Sequence, residues 1–170
     1  MDHNGSMNIR LLDDSDAAAA SVVVNAAAAW YAEIVPGYSG VEMDPAEWIA
    51  EGRRLAWYGA FDDGVLVGVM GLEYVDDVAL FRHAYVLPSH QRSGVGSMLQ
   101  QKLMADLRPV SRVLIGTYAA NYKARRLLAR TGFVLVADSQ AELRRYWNIP
   151  DDRLSTSVVY EMAISDATTG

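Results

Sequence analysis

A glycine-rich turn stands where the sequence changes from strand-like to helical periodicity. Residues 91–97 read Gln-Arg-Ser-Gly-Val-Gly-Ser. The glycines let consecutive backbone N–H groups approach an anion, and the positive end of the helix that follows favours its binding. The segment therefore predicts a phosphate site, although the same residues are equally compatible with a tight turn that needs small side chains.

Titratable side chains near this turn are candidates for proton transfer. His83 is the first choice for a general base, because the unperturbed pKa of histidine lies near neutrality, and Glu73 on the preceding strand is the second. Tyr118 and Tyr122 are the phenols that could act as acids. Each has a structural alternative: a hydrogen-bonded histidine, a carboxylate paired with Arg82, and tyrosines that serve only packing.

The elements that must position these residues follow from hydrophobic periodicity and from capping residues. Predicted strands cover 8–12, 57–61, 65–74, 78–87, 112–117, 133–137 and 157–164. Predicted helices cover 17–33, 45–53, 94–107, 121–130 and 139–147. The order indicates a mixed α/β fold in which an antiparallel meander is followed by a βαβ alternation, with parallel pairing in that second half.

Composition limits the classes of protein to consider. The chain has 170 residues, 51% of them hydrophobic, which suffices for one sizeable core, so we expect a single domain over 7–164. Its 21 acidic and 15 basic residues give a net charge of −6, which argues against nucleic acid as a partner. The absence of cysteine excludes disulfides and thiolate metal sites, and we expect no metal.

The two ends of the chain carry little fold information. Residues 1–6, ahead of a second methionine, are typical of a cloning remnant, and we expect 165–170 to be a disordered tail. We find no apolar run long enough to span a bilayer and no signal-peptide pattern at the N-terminus. The sequence therefore predicts a cytoplasmic protein without a membrane partner.

Two motifs resemble the GNAT N-acetyltransferase superfamily. Its signature Gln/Arg-x-x-Gly-x-Gly/Ala follows a strand that ends in a pattern like Leu-x-Val-x-Pro. Here that strand reads His-Ala-Tyr-Val-Leu-Pro over 83–88, and the step from Val86 to Gln91 has the family spacing. Downstream, 121–124 and the pair Gly132-Phe133 resemble the second motif of the family. The C-terminal segment 145–150 is also similar to a bacterial subgroup of this superfamily.

The resemblance implies a sheet splayed open between strands 4 and 5, with acetyl-CoA as co-substrate in the gap. It implies an N-acetyltransferase that joins the acetyl group to a primary amine of a small molecule or peptide in a ternary complex. The residues it assigns to the cofactor are Ala84, Tyr85 and Val86 beside the pantetheine, Gln91, Arg92, Ser93, Gly94, Val95, Gly96 and Ser97 around the pyrophosphate, and Asn121 beside the cofactor arm. Asn121 is equally an N-cap for the helix that follows.

One departure from the family pattern keeps alternatives open. Many members carry a tyrosine acid four residues before the Gly-Phe pair, and here that position is Leu128. An acyl-CoA-binding sensor without turnover is therefore the alternative function, and a dinucleotide-binding fold is a third. Aromatic residues near the first two helices, such as Trp30, Tyr31, Tyr38 and Trp48, would bound an acceptor pocket, pack in the core or form a homodimer contact.

Overall fold

The computed structural model describes residues 5–38 and 42–165. The expected remnant over 1–6 and the expected tail over 165–170 lie mostly outside these residues. The strands are β1 (Met7–Leu11), β2 (Ala56–Asp62), β3 (Val65–Val75), β4 (Val78–Val86), β5 (Arg112–Tyr118), β6 (Val134–Leu135) and β7 (Ser157–Ala163). The helices are α1 (Ala17–Ile34), α2 (Pro45–Glu51), α3 (Val95–Ala105), α4 (Tyr122–Arg130) and α5 (Ser139–Tyr146).

These strands form one seven-stranded sheet in the order β1-β2-β3-β4-β5-β7-β6. Strands β1 to β4 are an antiparallel meander, as the sequence predicts. The expectation of parallel pairing throughout the second half is wrong, because only β4 and β5 are parallel, while β7 lies between β5 and β6 and is antiparallel to both. Such a sheet is not the doubly wound parallel sheet of dinucleotide-binding folds, which removes that alternative.

Helices cover both faces of the sheet. Alternate residues of a strand point to opposite faces, and β2 illustrates this: Trp57 packs with α1 and α2, whereas Tyr58 belongs to the cluster that includes α3. A third cluster joins α5 to the middle strands through Leu143, Leu80 and Leu114. The molecule therefore has α1, α2 and α5 on one face and α3 with α4 on the other.

Local sequence signals place the helix ends. Asp44 accepts a hydrogen bond from the Glu47 amide at 2.8 Å, and the Glu47 carboxylate accepts one from the Asp44 amide at 2.9 Å, which forms a capping box at α2. The Asn121 side chain caps α4 by accepting from the Ala124 amide at 3.2 Å. Helix α3 begins after Gly94, which adopts a left-handed conformation with φ of 81°. These ends agree with the predicted boundaries to within a few residues.

The first helix differs from expectation in one respect. Residues 14–34 are, by length and composition alone, apolar enough to cross a membrane, whereas the sequence analysis found no such run. A core helix of a globular protein meets the same criterion. In this helix Ala20, Val23, Val24 and Ala27 are buried against the rest of the protein, which is the packing of a core helix.

Candidate functional site

The central feature of the site is a split between β4 and β5. Their parallel pairing runs from Val78 and Arg112 to Phe81 and Ile115 and ends there. At His83 the chain takes a φ of 53°, and the register between β3 and β4 shifts at the same place, which marks a bulge. The ends of the two strands then diverge.

The divergence exposes the edge of β4 to the gap. The Leu87 amide donates to the Val67 carbonyl of β3 at 2.9 Å. Because backbone groups of successive strand residues point to alternate sides, the N–H and C=O groups of Val86 and Ala84 face the gap instead. An extended ligand in the gap could form hydrogen bonds with these groups. It would lie where β5 would continue if the two strands stayed paired.

A cavity of about 1200 Å³ occupies the split and reaches both faces of the sheet. Its walls come from the end of α1 and the loop after it, the second half of β4, the glycine turn with α3, the end of β5, helix α4, and the segment from the end of α5 to the start of β7. All but two of the predicted cofactor residues line it, namely Ala84, Tyr85, Val86, Gln91, Arg92, Gly94, Gly96, Ser97 and Asn121.

The two exceptions belong to the glycine turn. The side chain of Val95 is 1% exposed and packs where Gly68 of β3 leaves room, since a Cβ at Gly68 would lie 2.8 Å from it. The Ser93 hydroxyl donates to the His90 carbonyl at 2.6 Å. These two side chains hold the turn against the sheet, and their contribution to a ligand is limited to backbone groups.

The turn itself is open for an anion. A helix leaves its first amide groups without carbonyl partners, and here those groups belong to Val95, Gly96 and Ser97. Added Cβ atoms at Gly94 would meet nothing within 4 Å, so the space above the turn is free. The His90 ring pairs with Asp62 at 3.0 Å, which fastens the loop before the turn to the β2–β3 hairpin.

The cavity is positively charged although the whole chain is acidic. Six basic residues line it: Arg82, Arg92, Lys123, Arg126, Arg130 and Arg153. Among the described lining residues there is no aspartate or glutamate. Only Arg82 has a carboxylate within ion-pair distance in the described part of the chain, where its Nε lies 2.6 Å from Glu73. The other five are available to an anionic ligand.

His83 lies on the cavity wall with a defined partner. Its Nε2 is 3.3 Å from Oε2 of Glu51, at the end of α2, and its ring lies between those of Trp57 and Tyr85. Burial lowers the pKa of His83, while the Glu51 charge opposes that shift. Burial also opposes ionisation of Glu51, but hydrogen bonding to Arg54 and the charges of His83 and Arg54 hold its pKa below the usual range. The arrangement favours a neutral imidazole next to an ionised carboxylate.

Two of the predicted proton-transfer residues, Glu73 and Tyr122, lie outside the cavity. Glu73 does not line the cavity and is paired with Arg82, whose guanidinium also donates to the Tyr146 carbonyl. Tyr122 is 64% exposed at the start of α4 and does not line the cavity either. The structure therefore does not bring Glu73 or Tyr122 to the cavity wall beside His83.

Tyr118 faces the cavity as part of a tyrosine cluster. Its ring centroid lies 5.2 Å from that of Tyr31 and 5.7 Å from that of Tyr38, and Tyr31 in turn contacts Tyr85 at 6.0 Å. Burial, followed by the neighbouring Tyr38 hydroxyl, raises the pKa of Tyr118 to about 12. Burial likewise raises the pKa values of Tyr31 and Tyr85. The phenols of Tyr31, Tyr85 and Tyr118 are therefore protonated near neutral pH.

Four other residues considered in the sequence analysis have defined positions in the structure. Leu128 lines the cavity and is 5% exposed, so the position of the usual acid holds an apolar side chain. Asn121 lines the cavity and also caps α4, so both readings of this residue are compatible with its position. Trp48 is 1% exposed and stacks on Trp57 at 5.2 Å, which makes it a core residue and not a pocket residue. Trp30 lines the cavity.

Sequence reasoning missed several residues of the site. Glu51 is 32 residues from His83, and its only local signal is its place at the end of a predicted helix. Trp147 lies over Gly116 of β5, where a Cβ would be 3.2 Å from the indole ring. Arg153 reaches the cavity from a short 3-10 segment, 151–156, that was not predicted. Among the residues that the structure describes, no group of histidine and acidic side chains could hold a metal ion.

Comparisons with known proteins agree with this geometry. Residues 24–133 match the model of the acetyltransferase (GNAT) family. Among solved structures, a putative acetyltransferase of Salmonella typhimurium, YncA with its cofactor acetyl-CoA, is 19% identical with a TM-score of 0.72, and the match covers 96% of each chain.

Two further structures are similar. The PaiA N-acetyltransferase of Thermoplasma acidophilum in complex with coenzyme A is 17% identical with a TM-score of 0.70, over 94% of this chain and 99% of that one. The ribosomal-protein-S18-alanine N-acetyltransferase of Escherichia coli is 19% identical with a TM-score of 0.71, over 96% and 97%. At these identities the likeness establishes the fold. No curated protein matches the sequence significantly.

Proposed function

This chain belongs to the acetyltransferase (GNAT) family, and we propose that it transfers an acetyl group from acetyl-CoA to a primary amine of a small molecule or peptide. The observation that carries the proposal is the cavity in the split between β4 and β5, which joins an anion-binding turn to a histidine and a tyrosine cluster. In this proposal both substrates are bound at once, and the amine attacks the thioester directly.

The residues present fit coenzyme A. The free amide groups at the start of α3 suit the pyrophosphate, because a helix N-terminus stabilises negative charge. Arg92, Arg126 and Arg130, which have no carboxylate partner among the described residues, supply further positive charge on the same face of the sheet. The free backbone groups of Ala84 and Val86 suit the amides of the pantetheine arm, which would pair with β4 as an added strand does.

The bound thioester supplies an activated acetyl group and a good leaving group. The attacking amine must first lose a proton, and His83 is suited to accept it because its ring is neutral and lines the cavity. Glu51 acts through His83: it fixes the ring orientation through Nε2 and stabilises the imidazolium that forms. Attack forms the C–N bond, and the C–S bond then breaks to release the thiolate.

Tyr118 is the phenol best suited to assist departure of the thiolate. With a pKa of about 12 it is a far weaker acid than a thiol, whose pKa is about 8.5. Full proton transfer from the phenol would therefore be unfavourable. A hydrogen bond from the hydroxyl to the developing thiolate or oxyanion is the favourable role, and the thiolate needs no strong acid to leave.

One observation favours a second candidate function. Leu128 places an apolar side chain at the position of the usual tyrosine acid. A protein that binds acetyl-CoA and senses it without turnover would tolerate this residue. The transferase remains the better-supported proposal, because Tyr118 and His83 with Glu51 would have no purpose in a sensor that only needs to hold the cofactor.

The proposal is tested by acetyl-CoA binding and coenzyme A release in Gly94→Glu. The added carboxylate would occupy the open space above the turn and repel the pyrophosphate, so we expect binding to weaken by about 100-fold or more. Gly64→Glu is the matched control, since Gly64 has a φ of 82° and open space around its Cβ but lies in the β2–β3 hairpin. Both variants carry similar backbone strain. Equal binding by the two variants would contradict the proposed site.

A further inference from the structure

The charge of the cavity restricts the amine that the proposed transferase accepts. Four of its six basic residues lie in the turn before α3 or on α4, namely Arg92, Lys123, Arg126 and Arg130, on the face where the cofactor phosphates would bind. Arg153 lines the opposite end of the cavity. The 3-10 segment that carries it ends at Thr156, whose carbonyl accepts from the Ala119 amide at 2.8 Å, next to Tyr118. Tyr118 in turn packs against Tyr31 and Tyr38 of the α1 side. In the described part of the chain the Arg153 guanidinium has no hydrogen-bond or carboxylate partner, and it is exposed. The acceptor end therefore holds a free cation.

In the described part of the chain no carboxylate lies within ion-pair distance of Arg153, and the described lining residues contain no aspartate or glutamate. Asp151 and Asp152 precede Arg153 in the chain, but neither lines the cavity, and Asp151 lies 3.7 Å from Arg144. Glu51 is held by His83 and Arg54, and Glu73 is held by Arg82. An acceptor with several ammonium groups would meet like charges without compensation.

The aromatic rings do not form a vacant cation site. Aromatic faces can attract an ammonium, but Nζ of Lys123 already lies over the Trp30 ring at 5.5 Å, and the Arg82 guanidinium lies over Trp147 at 5.3 Å. The rings that remain, those of the tyrosine cluster, are tilted or edge-on to one another and offer a largely apolar wall. Such a wall suits an apolar or aromatic side chain.

We propose, resting on the transferase function above, that the acceptor is an α-amino acid with an apolar or aromatic side chain, whose carboxylate pairs with Arg153 and whose side chain packs on the tyrosine cluster. A carboxylate two bonds from the attacking nitrogen would place the amine beside the tyrosine cluster, inside the cavity that His83 also lines. An arginine is the usual partner for such a group, because its fork of N–H donors matches the two carboxylate oxygens. Polyamines and aminoglycosides are excluded by the same charges.

The experiment compares matched acceptors at saturating acetyl-CoA. Coenzyme A release is measured with phenylalanine, phenylalaninamide, leucine, spermidine and an aminoglycoside, in the wild-type protein and in Arg153→Gln. We expect phenylalanine or leucine to be preferred over phenylalaninamide, which lacks the carboxylate. In Arg153→Gln the KM for the amino acid should rise by about 10- to 100-fold, the loss expected for a charge-assisted hydrogen bond, while the KM for the amide stays unchanged.

Two variants and one binding measurement make the result specific. Arg153→Lys should recover part of the affinity, and Arg144→Gln, an exposed arginine outside the cavity, should behave as wild type. Preference for spermidine or the aminoglycoside, or equal use of phenylalanine and its amide, would overturn this inference and leave the transferase standing. Failure to bind acetyl-CoA, measured by calorimetry, or binding without release for every acceptor, would overturn both.

Discussion

Strand β4 has two halves that serve different purposes. Its first half, 78–81, is paired with β5, and its four side chains are between 0% and 4% exposed. Its second half, 82–86, has no partner on that side and faces the cavity. The first half is entirely apolar, Val-Ala-Leu-Phe, whereas the second half begins with Arg82 and His83. The difference teaches that one strand can both close the core and offer a free edge to a ligand.

Two local features separate the halves. His83 adopts a left-handed conformation, which few residue types other than glycine tolerate, and the bulge there shifts the rest of the strand. On the other side of the gap, Trp147 packs against Gly116 of β5, and the Arg82 guanidinium lies over the indole. The segment after α5 therefore fills the base of the split and keeps β5 from pairing further along β4.

The paired half should control stability. Leu80 is fully buried between the sheet and α5, so Leu80→Ala is expected to lower the free energy of unfolding by about 3 kcal/mol. Acetyl-CoA affinity of the folded protein should not change. Urea denaturation and calorimetry measure the two quantities, with Val134→Ala, at a site 69% exposed, as the control. If Leu80→Ala weakens acetyl-CoA binding but leaves the free energy of unfolding unchanged, residues 78–81 serve binding and not stability.

The split half should control activity. His83→Asn removes the proposed base while keeping a residue that tolerates a positive φ, and we expect kcat to fall by about 100-fold, the usual size of general-base effects. The free energy of unfolding should change by less than about 1 kcal/mol. Val134→Ala, at an exposed site outside the cavity, should retain kcat. Unchanged turnover in His83→Asn would show that this half only holds the cofactor.

A smaller effect tests the link between His83 and Glu51. The base works when it is neutral, so kcat/KM falls as the pH drops through the His83 pKa, which burial places below 6.5. Glu51 raises that pKa, and Glu51→Gln should therefore lower it further and move the acidic limb of the profile to lower pH. Ionisation of the acceptor amine affects both enzymes equally, so the difference between profiles isolates His83. If the acidic limb of the kcat/KM profile lies at the same pH in Glu51→Gln as in the wild type, or at higher pH, this role for Glu51 is contradicted.

Much of the fold is encoded in local patterns. The capping oxygens of Asp44 and Asn121, the glycine before α3 and the helical spacing of 94–107 all predicted elements that the structure contains. The insertion of β7 between β5 and β6 could not be read in this way. Strand β6 has only two residues, and its pairing with β7 depends on contacts between distant parts of the chain.

The site also contains residues that local sequence could predict and residues that it could not. The glycine turn and the end of β4 are contiguous in sequence, so a motif could identify them. Glu51, Trp147 and Arg153 come from three separate segments. Only the folded chain brings Trp147 and Arg153 to the cavity and Glu51 to His83. The positive φ at His83 also has no local signal, because the strand-like pattern continues through it. Residue type alone could not predict that Tyr122 lies outside the cavity, because that depends on which way the start of α4 faces in the folded chain.

Hydrogen exchange with and without acetyl-CoA tests most directly that the split is the cofactor site. In the free protein, the amides of 78–81 should already be protected by pairing, and those facing the gap in 82–87 should exchange faster. On binding, we expect new protection in 82–87 and in 92–98, with no change in 112–115. Acetyl-CoA that binds tightly but leaves exchange in 82–87 and 92–98 unchanged would contradict the account and place the cofactor elsewhere.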